Sequence, residues 1–379
     1  MPERRTGPIG RIRAWVAVLA ATTALLAAFT ASAAAVPPNF WGVVPQGQPS
    51  VEQFQRLERG GVGSLRVPIS WALVQPVQGA APDWSTVDPL VAGAASAGIG
   101  VLPFVYGAPS WAVPVDKRWN SPKNLPVRTA TQRAGWQAFL TAVVQRYGPQ
   151  GSFWAENPAV PRSPLRTWQI WNEQNFKYFV ARPNPVEYGE LLKLSAAAIK
   201  FSDPGAKLVL GGMFAHPIEA TRKLRPPQAY FAADFLQQMY EKTPGIRSKF
   251  QGVALHPYTG NYKRLVPYIE EFREVLKANH DAGKPLWITE LGWSSDRQAV
   301  EHDSFAKGPQ GQVTQLKGAF SLLRANRVKW RLRGVYWFSI EDGAPSACNF
   351  CGGSGLFGTG FVAKPSWSAF VRFAGGRAG

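Results

Sequence analysis

The sequence is poor in the residues from which metal centres and disulfide scaffolds are built. It has two cysteines and four histidines in 379 residues. Two cysteines exclude a disulfide-dense fold and a four-cysteine zinc site. Four scattered histidines, with no His-Glu-x-x-His, give no reason to expect a metal. No glycine-rich phosphate turn follows the first expected strand, at Trp41-Gly42-Val43-Val44. Neither a dinucleotide site nor a P-loop is therefore indicated, and no cofactor is expected. No Gly-x-Ser-x-Gly elbow occurs, which disfavours an esterase. Acidic residues are also scarce, 24 against 42 lysines and arginines, for a net charge of +18. Such a field could draw in nucleic acid, an anionic surface or an acidic glycan. No dense basic run interleaved with aromatics is present, so no nucleic-acid partner is expected. The charge reads as an arginine-rich solvated surface.

What is abundant is apolar and aromatic. Hydrophobic residues make up 45% of the chain, with 15 Trp, 22 Phe and 10 Tyr, enough for a large core. The first segment has its own layout: a basic start (Arg4, Arg5, Arg11, Arg13), an apolar run from Ala14 to about Phe29, and a small-residue stretch, Ala31-Ser32-Ala33-Ala34-Ala35. This is the pattern of a secretory signal peptide over residues 1–35, cleaved near Ala33 to Ala35. The alternative is an uncleaved anchor helix, against which the small-residue end argues. The expected product is a secreted, extracellular protein without a membrane anchor. In that setting Cys348-Asn349-Phe350-Cys351 reads as a local disulfide, Cys348 to Cys351, beside the glycine-rich loop from Gly352 to Gly360. No thioredoxin-like context favours redox chemistry.

From residue 36 onward, β-rich runs alternate with helical patterns. The expected strands are Phe40–Val44, Ser64–Pro68, Gly100–Val105, Thr167–Trp171, Lys207–Leu210, Gly252–Leu255, Pro285–Thr289 and Gly334–Phe338. Helical patterns between them include Thr131–Tyr147, Pro185–Phe201, Gln228–Lys242, Tyr262–Asn279 and Gln312–Ala325. In Gln228–Lys242, Phe231, Phe235 and Met239 recur every four residues until Thr243-Pro244-Gly245 ends the run. Alternating strands and helices imply right-handed crossovers and a parallel sheet. Eight units fit a (β/α)8 TIM barrel, of class α/β; a doubly wound sheet is the alternative. No repeat or linker divides residues 36–379, so one barrel domain, monomeric, is expected.

Barrel active sites lie where strands end. After the fourth strand comes Trp171-Asn172-Glu173-Gln174-Asn175, and after the seventh Ile288-Thr289-Glu290-Leu291-Gly292-Trp293. Each glutamate sits just past a run that should line the barrel. A carboxylate there needs partners or a shifted pKa. One glutamate could be a hydrogen-bonded structural residue. Two across one cleft suit cleavage of a glycosidic bond.

At these motifs the chain resembles glycoside hydrolases of clan A, of family 39-like or family 5-like (cellulase-type) kind. The resemblance spans roughly Phe40 to Phe373. It implies a retaining glycosidase acting on a poly- or oligosaccharide, with Glu173 as acid/base and Glu290 as nucleophile. It implies Asn172 on the sugar 2-hydroxyl, and Arg66, at the end of strand two, holding the nucleophile ionised. His256 and Tyr258, after strand six, would border the nucleophile and the sugar. Trp337, at the end of strand eight, would be the aromatic floor under the sugar. Trp41, Trp71, Trp111 and Trp293 are further candidates for subsite walls. Gln174 stands where many relatives carry proline, and Tyr106-Gly107 where some family 5 enzymes have histidine. Two other readings share these residues: a transglycosylase, and a carbohydrate-binding barrel that no longer cleaves, for which loss of one glutamate would be the mark.

Overall fold

A computed structural model describes residues 36–117, 123–219, 222–223, 225–296, 305–343 and 351–379. The expected signal segment and Cys348 lie outside the described residues. Among the described residues eight strands of four or more residues appear in chain order: β1 Trp41–Val44, β2 Ser64–Ser70, β3 Gly100–Tyr106, β4 Thr167–Ile170, β5 Lys207–Leu210, β6 Val253–His256, β7 Leu286–Leu291 and β8 Leu332–Phe338. Each is followed by a helix: α1 Val51–Arg59, α2 Asp88–Ser96, α3 Ala130–Tyr147, α4 Pro185–Ser202, α5 Ala232–Lys242, α6 Leu265–Ala278, α7 Gly308–Ala325 and α8 Pro365–Ala374. All neighbouring strands run parallel, in the order β5-β4-β3-β2-β1-β8-β7-β6. The sheet curls until its two flanks meet. Val209 of β5 bridges Gly252, and Met213–Phe214, which continues β5 past Gly211-Gly212, pairs with Leu255–His256. The expected TIM-barrel architecture is thus present, within the compact unit Pro38–Gly379. Among the described residues no helix is long and apolar enough to cross a membrane.

Local chemistry explains where the helices start. Thr129 caps α3 by accepting from the backbone N–H of Gln132, whose side chain bonds back to the Thr129 N–H. Asn184 accepts from Val186 N and Glu187 N at the head of α4, with Pro185 in the first turn. The expected helix from Gln228 is shorter than its pattern. Residues 225–229 form a separate turn, closed by Gln228 N and Ala229 N on Arg225 O. Phe231 is the extended residue before α5, and its ring stacks on His216 at 4.2 Å. Phe231 is only half-buried, and a ring stacked on a loop residue keeps the same period as one in a helix.

Strand pleating divides the aromatic residues. Ser64, Leu102 and Tyr336 point into the barrel, where the Tyr336 and Ser64 hydroxyls lie 2.9 Å apart and Val44, Leu102 and Tyr336 pack together. Trp41 points the other way, stacked on Phe320 of α7 at 4.2 Å. Trp71 is buried among Trp111, Trp136 and Phe139.

Candidate active site

The backbone puts both glutamates at one mouth by different devices. β4 ends at Ile170. Trp171 and Glu173 then take left-handed backbone, with φ of 70° and 40°. Non-glycine residues hold such angles only against strain of about 1–3 kcal/mol each, so the surroundings must fix them. They do so through Trp171 N on Val105 O, Glu173 N on Gly212 O, and the Trp171 indole N–H on Phe179 O. Asn175 adds a clamp, donating to Phe214 O and Tyr230 O and accepting from Phe214 N.

Glu290 arrives within its strand rather than after it. In the pairing of β7 with β8, Ile288 faces Val335 and Leu291 faces Trp337. Two residues, Thr289 and Glu290, therefore stand opposite Tyr336 alone. This irregularity acts as a β-bulge does, re-aiming a side chain at the end of the ladder. Both Thr289 and Glu290 consequently face the site.

Arg66 organises the polar groups. It is the third residue of β2, not its last, and is fully buried inside the barrel. It donates from Nη1 to Glu290 Oε1 at 2.5 Å, from Nη2 to Asn172 Oδ1 at 2.6 Å, and from Nε to Gln169 Oε1 at 2.7 Å. Its guanidinium lies 3.9 Å from the centroid of the Phe104 ring, a cation–π contact. Because Asn172 Oδ1 is engaged by Arg66, the Asn172 amide has its N–H bonds to offer elsewhere.

His256 is the last residue of β6 and is fully buried. Its Nδ1 lies 2.8 Å from Glu173 Oε1 and its Nε2 3.0 Å from Thr289 Oγ1. Burial, then the charge on Arg66, hold its pKa well below the usual histidine value, so the ring is neutral. A chain of bonds sets its tautomer. Gln169 Oε1 accepts from Arg66, so Gln169 Nε2 donates, to Leu210 O and to Thr289 Oγ1. The Thr289 proton then turns to His256 Nε2, leaving Nδ1–H to donate to Glu173.

Tyr258 completes the set, donating its hydroxyl to Glu290 Oε2 at 2.9 Å. Burial, then the charges of Glu290 and Glu173, push this hydroxyl well above the usual tyrosine value. One carboxylate oxygen each of Glu173 and Glu290 and a nitrogen of His256 all lie within 4.8 Å of one another. Burial raises the pKa of both carboxyls. For Glu173 the negative Glu290 raises it further, whereas for Glu290 the Arg66 charge and the Tyr258 bond oppose burial. Glu173 is thus the member of the pair that keeps a proton. The trio could offer three ligand atoms to a cation, but both Glu290 oxygens are already engaged and the Arg66 charge repels one.

Trp337 does not join this group, contrary to expectation. It is fully buried, its indole N–H bonded to Ser354 O, with Trp293 and Phe320 of α7 at 6.0 and 6.2 Å. It lies on the helix side of β8 and is core. The next residue, Phe338, has the opposite face; its half-buried ring stands 6.5 Å from that of Tyr258. Trp293 is likewise packed, donating to Thr259 O. Sequence reasoning passed over Gln169, Thr289, Phe338 and Gly212. Gln169 did carry a signal: a polar residue in an apolar strand needs a buried partner. Gly212 is required because a Cβ there would meet His256 Nε2 at 2.0 Å.

Comparison with known proteins agrees with the fold. The family model described as Glycosyl hydrolase catalytic core matches residues 195–327, which include His256, Tyr258 and Glu290. The chain is 27% identical over 165 residues to intracellular exo-alpha-(1->5)-L-arabinofuranosidase 1 of Bacillus subtilis, covering 42% of this chain and 28% of that protein. It superposes on a family 39 glycoside hydrolase from Bacteroides cellulosilyticus with TM-score 0.64 and 21% identity, over 89% of this chain and 64% of that one. It also superposes on a family 39 beta-xylosidase from Caulobacter crescentus, with TM-score 0.59 and 22% identity, over 89% and 72%. The chain thus spans less than two thirds of the first two of these relatives.

Proposed function

We propose that this protein is a retaining glycoside hydrolase that cleaves O-glycosidic bonds of a carbohydrate with Glu290 as nucleophile and Glu173 as acid/base. The observation that carries this reading is the pair itself: two buried carboxyls, oxygens within 4.8 Å, one held by a guanidinium and a phenol, the other bonded to a neutral histidine. Retaining pairs stand about 5–5.5 Å apart, inverting pairs about 6.5–9.5 Å, since the latter must admit a water. The short separation favours direct attack on the sugar carbon.

The protons follow from the bonds. Glu173 Oε1 accepts from His256, so the acid proton sits on Oε2, where it can pass to the leaving oxygen. Glu290 attacks the anomeric carbon as that carbon–oxygen bond breaks, and forms an ester. Once Glu290 is esterified, its negative charge no longer raises Glu173. Glu173 then takes a proton from water, and the hydroxide opens the ester with net retention. The Asn172 amide, turned outward by Arg66, donates to the sugar 2-hydroxyl, a bond that strengthens as charge develops on the ring. Phe338 and Phe305, whose ring centroids lie 6.5 and 6.3 Å from that of Tyr258, form with it the partly apolar wall for the sugar face.

The test uses the purified protein and aryl glycosides. Glu290→Gln should abolish turnover while melting as a folded protein. Glu173→Ala should slow poor leaving groups far more than activated aryl groups, which need little protonation. An inverted product by proton NMR, or full activity in Glu290→Gln, would overturn the assignment. We further propose a single catalytic domain, working as a monomer, exported after cleavage near Ala35, with Cys348 bonded to Cys351. An exported protein whose N-terminal peptide still contains Met1–Ala35 would refute the cleavage.

A further inference from the structure

β4 and β5 pair in even register, from Thr167 opposite Lys207 to Ile170 opposite Leu210. Beyond that point Trp171 N donates away to Val105 O of β3, and Leu210 N donates to Gly252 O. Backbone groups alternate sides along a strand. Gly211 N and Ile170 O therefore turn toward one another, as the next rung of a parallel ladder. That rung is not made directly. The Tyr188 hydroxyl accepts from Gly211 N at 2.8 Å and donates to Ile170 O at 2.8 Å. Tyr188 comes from the first turn of α4, which Asn184 caps. It is fully buried, its ring 5.9 Å from that of Phe235 of α5. A phenylalanine would fill the same space. Only the two backbone groups call for an oxygen.

The opening carries the acid/base. Just past Ile170 the chain enters the left-handed turn through Trp171 and Glu173. A ladder zipped through Gly211 would hold this stretch extended. Instead the loop is tied to β5 from another direction. Gln174 Nε2 donates to Gly211 O at 3.0 Å, and Glu173 N donates to Gly212 O at 2.9 Å. A Cβ on Gly211 would run into Gln174 Oε1, so this tie needs glycine. The side chain of the same Glu173 ends 2.8 Å from His256 Nδ1.

We infer that Tyr188 is a positioning residue for Glu173: its hydroxyl replaces the last rung between β4 and β5, and so sets the carboxyl against His256 and toward Glu290. The inference rests on the glycosidase reading for the reaction, and on these bonds for the geometry. Being fully buried behind the loop, Tyr188 acts through Glu173 and not on the sugar. Without the hydroxyl, Gly211 N–H and Ile170 O either close on one another or lose their partner. Either way the turn that aims Glu173 shifts.

The experiment compares Tyr188→Phe with a control, Tyr240→Phe. The control also takes a phenol from a buried bond, to Asp281 Oδ2 at 2.7 Å, ahead of β7 at the other end of the barrel. In Tyr188→Phe, kcat/KM for an aryl glycoside with a poor leaving group should fall at least about tenfold, while that for a dinitrophenyl glycoside stays within about twofold. The titratable groups facing Glu173 are Glu290, His256, Arg66 and Tyr258. A displaced carboxyl is less buried and farther from Glu290, the two causes that raise it, so the basic limb of kcat/KM should move to lower pH. Tyr240→Phe should lower the melting temperature and change neither readout. Equal losses on both substrates, an unmoved basic limb, the same pattern in Tyr240→Phe, or a Tyr188→Phe chain that does not fold would each overturn the proposal in favour of a structural role. Carbon NMR of glutamate-labelled protein, with Glu173→Gln to assign the signal, reads the same titration without turnover. A Glu173 signal that titrates lower in Tyr188→Phe supports the positioning role even in a protein that cleaves no glycoside, in which event the glycosidase reading alone fails.

Discussion

Replacing Arg66 with methionine keeps most of the bulk against Phe104 and removes the charge. In the native protein Arg66 faces Glu290, Gln169 and Asn172 from a fully buried position. Opposite charges about 4 Å apart at an effective dielectric of about 20 attract by about 4 kcal/mol, in line with the 3–5 kcal/mol lost when one member of a buried pair is removed. Two amide oxygens lose a donor as well, at about 1–3 kcal/mol each. The expected total is about 6–10 kcal/mol, a large share of the roughly 5–15 kcal/mol by which domains are stable. Glu290 has one escape, which is to take a proton. Burial already holds its pKa above the usual value, and without the guanidinium it rises further. The folded state then keeps a proton that the unfolded chain releases. The charge part of the deficit is therefore absent where Glu290 is protonated in both folded proteins, and it grows as pH rises from the native Glu290 pKa, itself above the usual carboxylate value, towards the higher pKa of the variant. Adding Glu290→Gln should recover about 3–4 kcal/mol and leave the amide part, and the pH dependence tied to Glu290 should disappear. Urea unfolding followed by tryptophan fluorescence at pH 5 and pH 8 reads both. Recovery below about 0.5 kcal/mol in the double variant, or a deficit equal at the two pH values, would refute the reasoning.

Gly212→Ala should cut kcat at least about tenfold without altering any proposed catalytic group, because a Cβ 2.0 Å from His256 Nε2 forces that ring off Glu173. Unchanged kinetics would show that the ring has room to move. Thr289→Val removes the hydroxyl that holds His256 Nε2 as an acceptor; nitrogen NMR should find Nδ1–H in the native protein and a mixture of tautomers in the variant. Trp337→Phe should lower stability by about 1–3 kcal/mol and leave KM alone, whereas Phe338→Ala should raise KM. The reverse pattern would restore Trp337 as the sugar platform. Alkylation without reductant should leave the intact mass unchanged if Cys348 and Cys351 are joined.

The linear order of the elements was plain in the residues. Eight strand-helix units, helical runs from Thr131 and Pro185, and glutamates beside the fourth and seventh strands are all local: propensity and apolar runs set them within a few residues of chain. What was hidden is which way each side chain points. In a parallel barrel both faces of a strand are covered, one by the interior and one by helices, so Tyr336, Trp337 and Phe338 show no alternation of polar and apolar residues. A one-residue difference in phase then moves Trp337 from sugar platform to core, and only the sheet register decides it. The same holds for Glu290. Its sequence neighbours mark it as special, but the two-against-one pairing opposite Tyr336 is what turns it and Thr289 together toward the site. Arg66 reads in the chain as one charge in an apolar run. Its three bonds go to residues 103, 106 and 224 positions away, and contacts that distant exist only once the barrel has closed.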